Sequence, residues 1–166
     1  VGEAWWLVMH ALGGSNVRFY QVGFLATHLV NACLVARLAT GLANPVIGWR
    51  AALLFALSPL FVAAISVHYL FIFDVLGCTF FLLTLVACRF AVEQRPCWVV
   101  WALPVSAITA LAAYLSKEAY FTLPGAVALV LGLDAEKRWN WSMFISRKFW
   151  IGLHVIVLLA ALVWRT

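Results

Sequence analysis

The chain has 166 residues, of which 66% are hydrophobic and only 10% charged, and its mean hydropathy is +1.04. A soluble domain carries about a quarter charged residues, so a soluble fold is excluded on composition and the apolar surface is expected to face lipid. The formal net charge of +5 does not call for a nucleic-acid partner, because the basic residues border apolar runs, where they set orientation and meet anionic headgroups.

The first run, residues 4 to 12, is too short to span a bilayer and ends in Gly13, Gly14, Ser15 and Asn16, which form turns. With Trp5 and Trp6 it is read as an interfacial segment on the extracytoplasmic side, covering residues 1–18. Runs of roughly 18 to 24 apolar residues, the length that crosses about 30 Å of hydrocarbon as a helix, then follow. Span one is predicted from Phe19 to Leu42, ending at Asn44 and Pro45. Span two covers Trp49 to Val67 and is interrupted at Ser58 and Pro59, where the missing backbone donor should break the helix. Span three runs from Phe73 to Val92, span four from Cys97 to Leu115, and a short span five from Ala119 to Leu133. Residues 134–148 mix basic residues with Trp139, Trp141 and Phe144, as an interfacial segment on an anionic leaflet would. A sixth span occupies 149–166.

The fold expected is therefore an all-α, polytopic transmembrane helical bundle of about six spans, with residues 19–133 supplying five of them. A β-barrel would alternate in segments of about ten residues, and continuous runs such as Val155 to Val163 do not. Arg37, Arg50, Arg89, Arg95, Lys137, Arg138, Arg147 and Lys148 fall on one side if the spans alternate, and the positive-inside rule makes that side cytoplasmic. The opposite face receives the N-terminal segment, the connection around His68 to Ile72, and the junction at Ser116, Lys117 and Glu118. The chain opens on Val1, with neither a basic n-region nor a cleavage site, and is expected to be a piece of a longer protein.

The polar residues within the apolar runs are few. Gln21, His28 and Asn31, spaced by seven and three, share one helical face. Such a stripe points into a bundle, either to hydrogen-bond between helices or to line a substrate path. Lys117 and Glu118 lie between two apolar runs with almost no polar buffer, which makes them functional candidates. Lys117 can hold a phosphate while Glu118 orients it or binds a sugar hydroxyl; the plain alternative is a pair of helix-end charges in the headgroup layer. Asp74 begins span three and suits either a helix cap or a site, with His68 six residues before it. Arg18 is a further cation on the outer side. The four cysteines show no CxxC spacing, and three sit in apolar runs as small hydrophobes. No HExxH, Gly-rich phosphate loop or GxSxG elbow occurs, so zinc hydrolysis, nucleotide hydrolysis and serine chemistry lack their parts. No metal site or cofactor is identifiable, and a divalent metal stays open.

Three stretches together resemble a known group. Thr27 to Ala39, THLVNACLVARLA, is similar to an H-x-x-N-A-x-L-V helix, and Ala56 to Val67, ALSPLFVAAISV, to an H-P-L-H-V-E-A-V stretch. Ser116, Lys117, Glu118, Thr122, Leu123, Pro124 and Asp134 follow an S-K-E…T-L-P…D pattern with its spacing. The group is the GT-C type integral-membrane glycosyltransferases, in particular the tetratricopeptide-repeat O-mannosyltransferase branch that uses dolichyl-phosphate-mannose. Gln21, Ser58 and Phe61 stand where that branch has histidines, Phe24 where it has Asn, and Ala63 where it has Glu.

The resemblance implies a membrane domain, in the bacterial inner membrane or the endoplasmic reticulum. It would take a sugar from a polyprenyl-phosphate carrier and pass it to a protein or glycan acceptor on the extracytoplasmic face. It implies a general base in a loop before Phe19, upstream of this chain, with Lys117 or Arg18 meeting the carrier phosphate. A transporter or flippase, or a noncatalytic membrane scaffold subunit, would use the same polar residues differently.

Overall fold

A computed structural model describes residues 2–58, 72–93, 96–132 and 147–165, and these are helical throughout apart from turns, with no strand among them. Helix α1 spans Gly2–Gly13 and α2 spans Val17–Leu42. Asn16 caps α2, its side-chain oxygen accepting from the Arg18 backbone N–H at 3.1 Å, and Gly14 turns the chain between the two helices at a φ of 54°. That angle lies in the left-handed region that costs glycine least. Helix α3, Pro45–Ala56, starts on an Asn44 cap with proline in its first turn, the arrangement that satisfies the orphan N–H groups best. It lies close along α2: a Cβ on Gly48 would come within 2.0 Å of Thr40 Oγ1.

Helix α3 ends at Ala56, capped at Leu57, within one turn of Pro59. The remainder of span two, the Pro59 break itself, His68 with its connection, and the interfacial stretch 134–146 lie outside the described residues.

Helix α4, Ile72–Glu93, and helix α5, Pro96–Ser116, match spans three and four to within a residue or so at each end. They form the most extensive pairing in the bundle, joined by the hydroxyls of Thr84 and Thr109 at 2.8 Å. Span five departs from expectation. Residues Glu118–Thr122 form a 3-10 helix, and among the described residues the α-helix, α6, covers Leu123–Gly132. The interruption follows from Pro124, which cannot donate to the Tyr120 carbonyl; the Leu123 N–H bonds that carbonyl instead, closing the tighter turn. Helix α7, Lys148–Arg165, is the last element.

The core gathers α4, α5, α6 and α7 around Leu85, Cys88, Tyr114, Leu123, Val127 and Ala161, all buried. A second cluster joins Phe24 of α2 to Val75 and Leu76 of α4, covered by Trp5 of α1. The outward faces remain apolar: Leu25, Leu29, Leu54, Trp101, Ile108, Ile156 and Val163 are all exposed. Among the described residues two helices, Val17–Leu42 and Asp74–Ala91, are long and apolar enough to cross a membrane, and the other apolar helices there are shorter.

At one end of the bundle Arg37, Arg89 and Arg147 come together. Arg89 donates to the Gly41 carbonyl at 3.4 Å and Arg147 to the Leu131 carbonyl at 2.6 Å, so each supports a helix C-terminus. Arg37 and Arg89 line one small cleft between α2 and α4. Partial burial, and then the charge of Arg89, pull the Arg147 guanidinium below its usual range.

Candidate functional site

The other end is built around the first turn of α4. Lys117 Nζ lies 2.5 Å from Asp74 Oδ1, joining residues 43 apart in sequence. Lys117 occupies the extended residue (φ −160°, ψ 148°) between α5 and the 3-10 helix. Its backbone is held on both sides: its N–H donates to the Ala113 carbonyl at 3.3 Å and its carbonyl accepts from the Tyr120 N–H at 3.2 Å. The ammonium is presented across the gap to α4, with 45% of the Lys117 side chain and 28% of the Asp74 side chain open to solvent.

Tyr120 joins the site without having been singled out by sequence. Its hydroxyl donates to the Asp74 carbonyl at 2.5 Å, and its ring packs on Phe81 and over Gly77. A Cβ at Gly77 would lie 2.1 Å from Tyr120 Cε2, so the glycine supplies the room for the ring. The signal was Tyr120's place three residues after Lys117, masked because tyrosine is unremarkable in an apolar run.

One residue further along α4, the Val75 carbonyl accepts from Asn31 Nδ2 and from Thr79 Oγ1, both at 3.0 Å. Asn31 is fully buried, and its Oδ1 has no hydrogen-bond partner among the described residues. His28, also buried, donates through Nε2 to the Ala56 carbonyl at 3.2 Å and stacks on Phe55 at 5.2 Å, which ties α2 to the end of α3. These two members of the polar stripe therefore bond between helices. The third does not join them: Gln21 is exposed, because α3 stops at the level of His28 and leaves nothing of itself beside Gln21.

Arg18 is exposed near the start of α2. It stands thirteen residues before Asn31, about 20 Å along the helix axis, so it is not part of the Asp74–Lys117 cluster. Glu118 begins the 3-10 helix, and its side chain and the whole of His68 lie outside what the structure describes. Among the described residues no three His, Cys, Asp or Glu side chains come together to hold a metal ion.

A second polar cluster sits inside the core. His154 is fully buried, and its Nδ1 faces the Trp150 carbonyl at 2.7 Å. Nε2 lies 4.0 Å from the Cys88 thiol, and the Tyr114 hydroxyl donates to the His154 carbonyl at 3.4 Å.

Chemically, the described side chains at the half-open end are a cation on a flexible stem, a carboxylate and a buried amide, a set suited to an anion and its attached hydroxyls. No known family, curated protein or solved structure matches the chain.

Proposed function

We propose that the chain is part of a polytopic membrane domain of GT-C type that transfers a sugar from a polyprenyl-phosphate carrier on the extracytoplasmic face. In this reading the Lys117 end of the bundle is where the carrier phosphate docks. One observation carries the proposal: Asp74 and Lys117, two of the residues that stand out in the apolar sequence, meet at one half-open place beside the first turn of α4. Supporting it, the outward faces are apolar enough to lie in lipid, and Arg37, Arg89 and Arg147 gather at the opposite end of α4, where the positive-inside rule expects a cytoplasmic boundary.

Lys117→Met keeps the apolar stem and removes the charge. In the full-length protein in nanodiscs it should weaken binding of the polyprenyl-phosphate sugar roughly ten- to hundredfold, the worth of a hydrogen bond to a charged group. Lys117→Arg should recover part of the loss, since the larger fork carries the charge in another shape. A Lys117→Met protein that folds normally and binds the carrier as tightly as the parent would falsify the phosphate role.

The interruption at Glu118–Thr122 favours a second reading, a transporter or flippase, because discontinuous helices build substrate sites in transporters. Purified protein separates the two: sugar transfer in detergent needs no second compartment, whereas transport requires a sealed vesicle.

A further inference from the structure

The ion pair beside the first turn of α4 is not what holds its two elements together. Tyr120 does that, through its hydroxyl on the Asp74 carbonyl and its ring over Gly77, and Leu123 is fully buried just beyond it. The Lys117 backbone is tied separately to Ala113 and Tyr120. The Lys117 side chain can therefore leave Asp74 by rotation of its four-carbon stem alone, with no helix moving. Asp74, for its part, lies in the first turn of α4, where the unsatisfied N–H groups and the positive end of the helix dipole favour a carboxylate whether or not Lys117 is present.

From this geometry we infer that the Asp74–Lys117 pair is an exchangeable counter-ion lock: the phosphate of a polyprenyl-phosphate ligand displaces Asp74 from Lys117. Asp74 is thereby released as a free carboxylate able to accept hydrogen bonds from sugar hydroxyls. The inference rests on the phosphate role assigned to Lys117 above, and it adds a sign that the role alone does not have. Asp74 is a competitor of the ligand in the empty state, so removing its charge should strengthen phosphate binding rather than weaken it.

The test uses farnesyl phosphate as the probe, with the full-length protein in nanodiscs of neutral lipid, and calorimetric affinities for the parent, Asp74→Asn, Lys117→Met and the double variant. Asp74→Asn should bind roughly fivefold more tightly than the parent, the upper end for a half-exposed ion pair. The gain should vanish in the Lys117→Met background, because the competition is for that ammonium. An equal gain in the Lys117→Met background would mean plain repulsion between Asp74 and phosphate, and the lock would be wrong. Equal or weaker binding by Asp74→Asn, with the parent binding normally, would overturn the lock and leave the phosphate role standing. If neither the parent nor Asp74→Asn binds, the phosphate role falls and the lock with it. Carbodiimide labelling of Asp74 in the parent, read by peptide mass spectrometry, covers the case in which Asp74→Asn does not fold. Labelling should rise when farnesyl phosphate is added, and labelling that stays level or falls counts against the lock.

Discussion

Cys88, His154 and Tyr114 meet where no solvent reaches them, whereas Asp74 and Lys117 meet with 28% and 45% of their side-chain surface open. The sealed cluster contains no formal charge in its neutral form, and its contacts run helix to helix: α4 to α7 through the thiol and imidazole, α5 to α7 through the tyrosine hydroxyl. The open cluster is charged, and its structural ties are made by other groups, Tyr120 and Asn31, on the backbone of α4. In a largely apolar chain, neutral polar groups can serve as fasteners because their desolvation is met by single hydrogen bonds. A charged pair costs more to enclose than it returns. Where such a pair sits at an opening, with fasteners of its own beside it, the charge is free for something other than holding the fold.

The contrast is open to breakage from either side. The largest effect should come from the sealed cluster. Tyr114→Ala removes a fully buried aromatic side chain and should cost about 3–5 kcal/mol, seen as a large drop in thermal midpoint in detergent. A drop no larger than that of an exposed substitution such as Trp164→Ala would show that this cluster is not the core.

Next comes the seam between fastener and charge. Gly77→Ala puts a Cβ against the Tyr120 ring, which cannot move without leaving the Asp74 carbonyl, and should cost about 1–3 kcal/mol. Combining it with Tyr120→Ala should cost clearly less than the two single losses added together. Strict additivity would mean that the ring and the glycine do not sense each other. The smallest effect belongs to the ion pair itself. Asp74→Asn should change stability by no more than about 1 kcal/mol, as befits a pair so exposed; a loss as large as that of Tyr114→Ala would make the pair structural and erase the distinction between the two clusters.

Much of the helical framework is legible in the sequence, because an apolar run has to stop where its caps and breakers stand. Asn44 and Pro45 divide α2 from α3, and Pro96 opens α5. Helix α6 was harder to read. Hydropathy treats Ala119 to Leu133 as one run, and only the lost donor of Pro124 betrays the 3-10 turn before it. The polar stripe on α2 was legible as a face but not in extent: a period of 3.6 places Gln21 above His28, yet how far α3 reaches decides which of them is covered. The partner of Lys117 was not legible at all. Alternation of spans brings Asp74 to the same side, but a contact across 43 residues depends on the 3-10 turn that orients Lys117 toward α4.

Gly77 and Tyr120 also carry a consequence for how this chain can change over generations. The ring occupies the volume that a methyl group at 77 would need, so neither position can be exchanged alone without loss. In descendants of a common ancestor the two should covary: where 77 carries Ala or anything larger, 120 should hold a side chain shorter than Tyr. In those same lineages the hydroxyl on the Asp74 carbonyl would be gone, and selection on position 74 should relax or find another anchor.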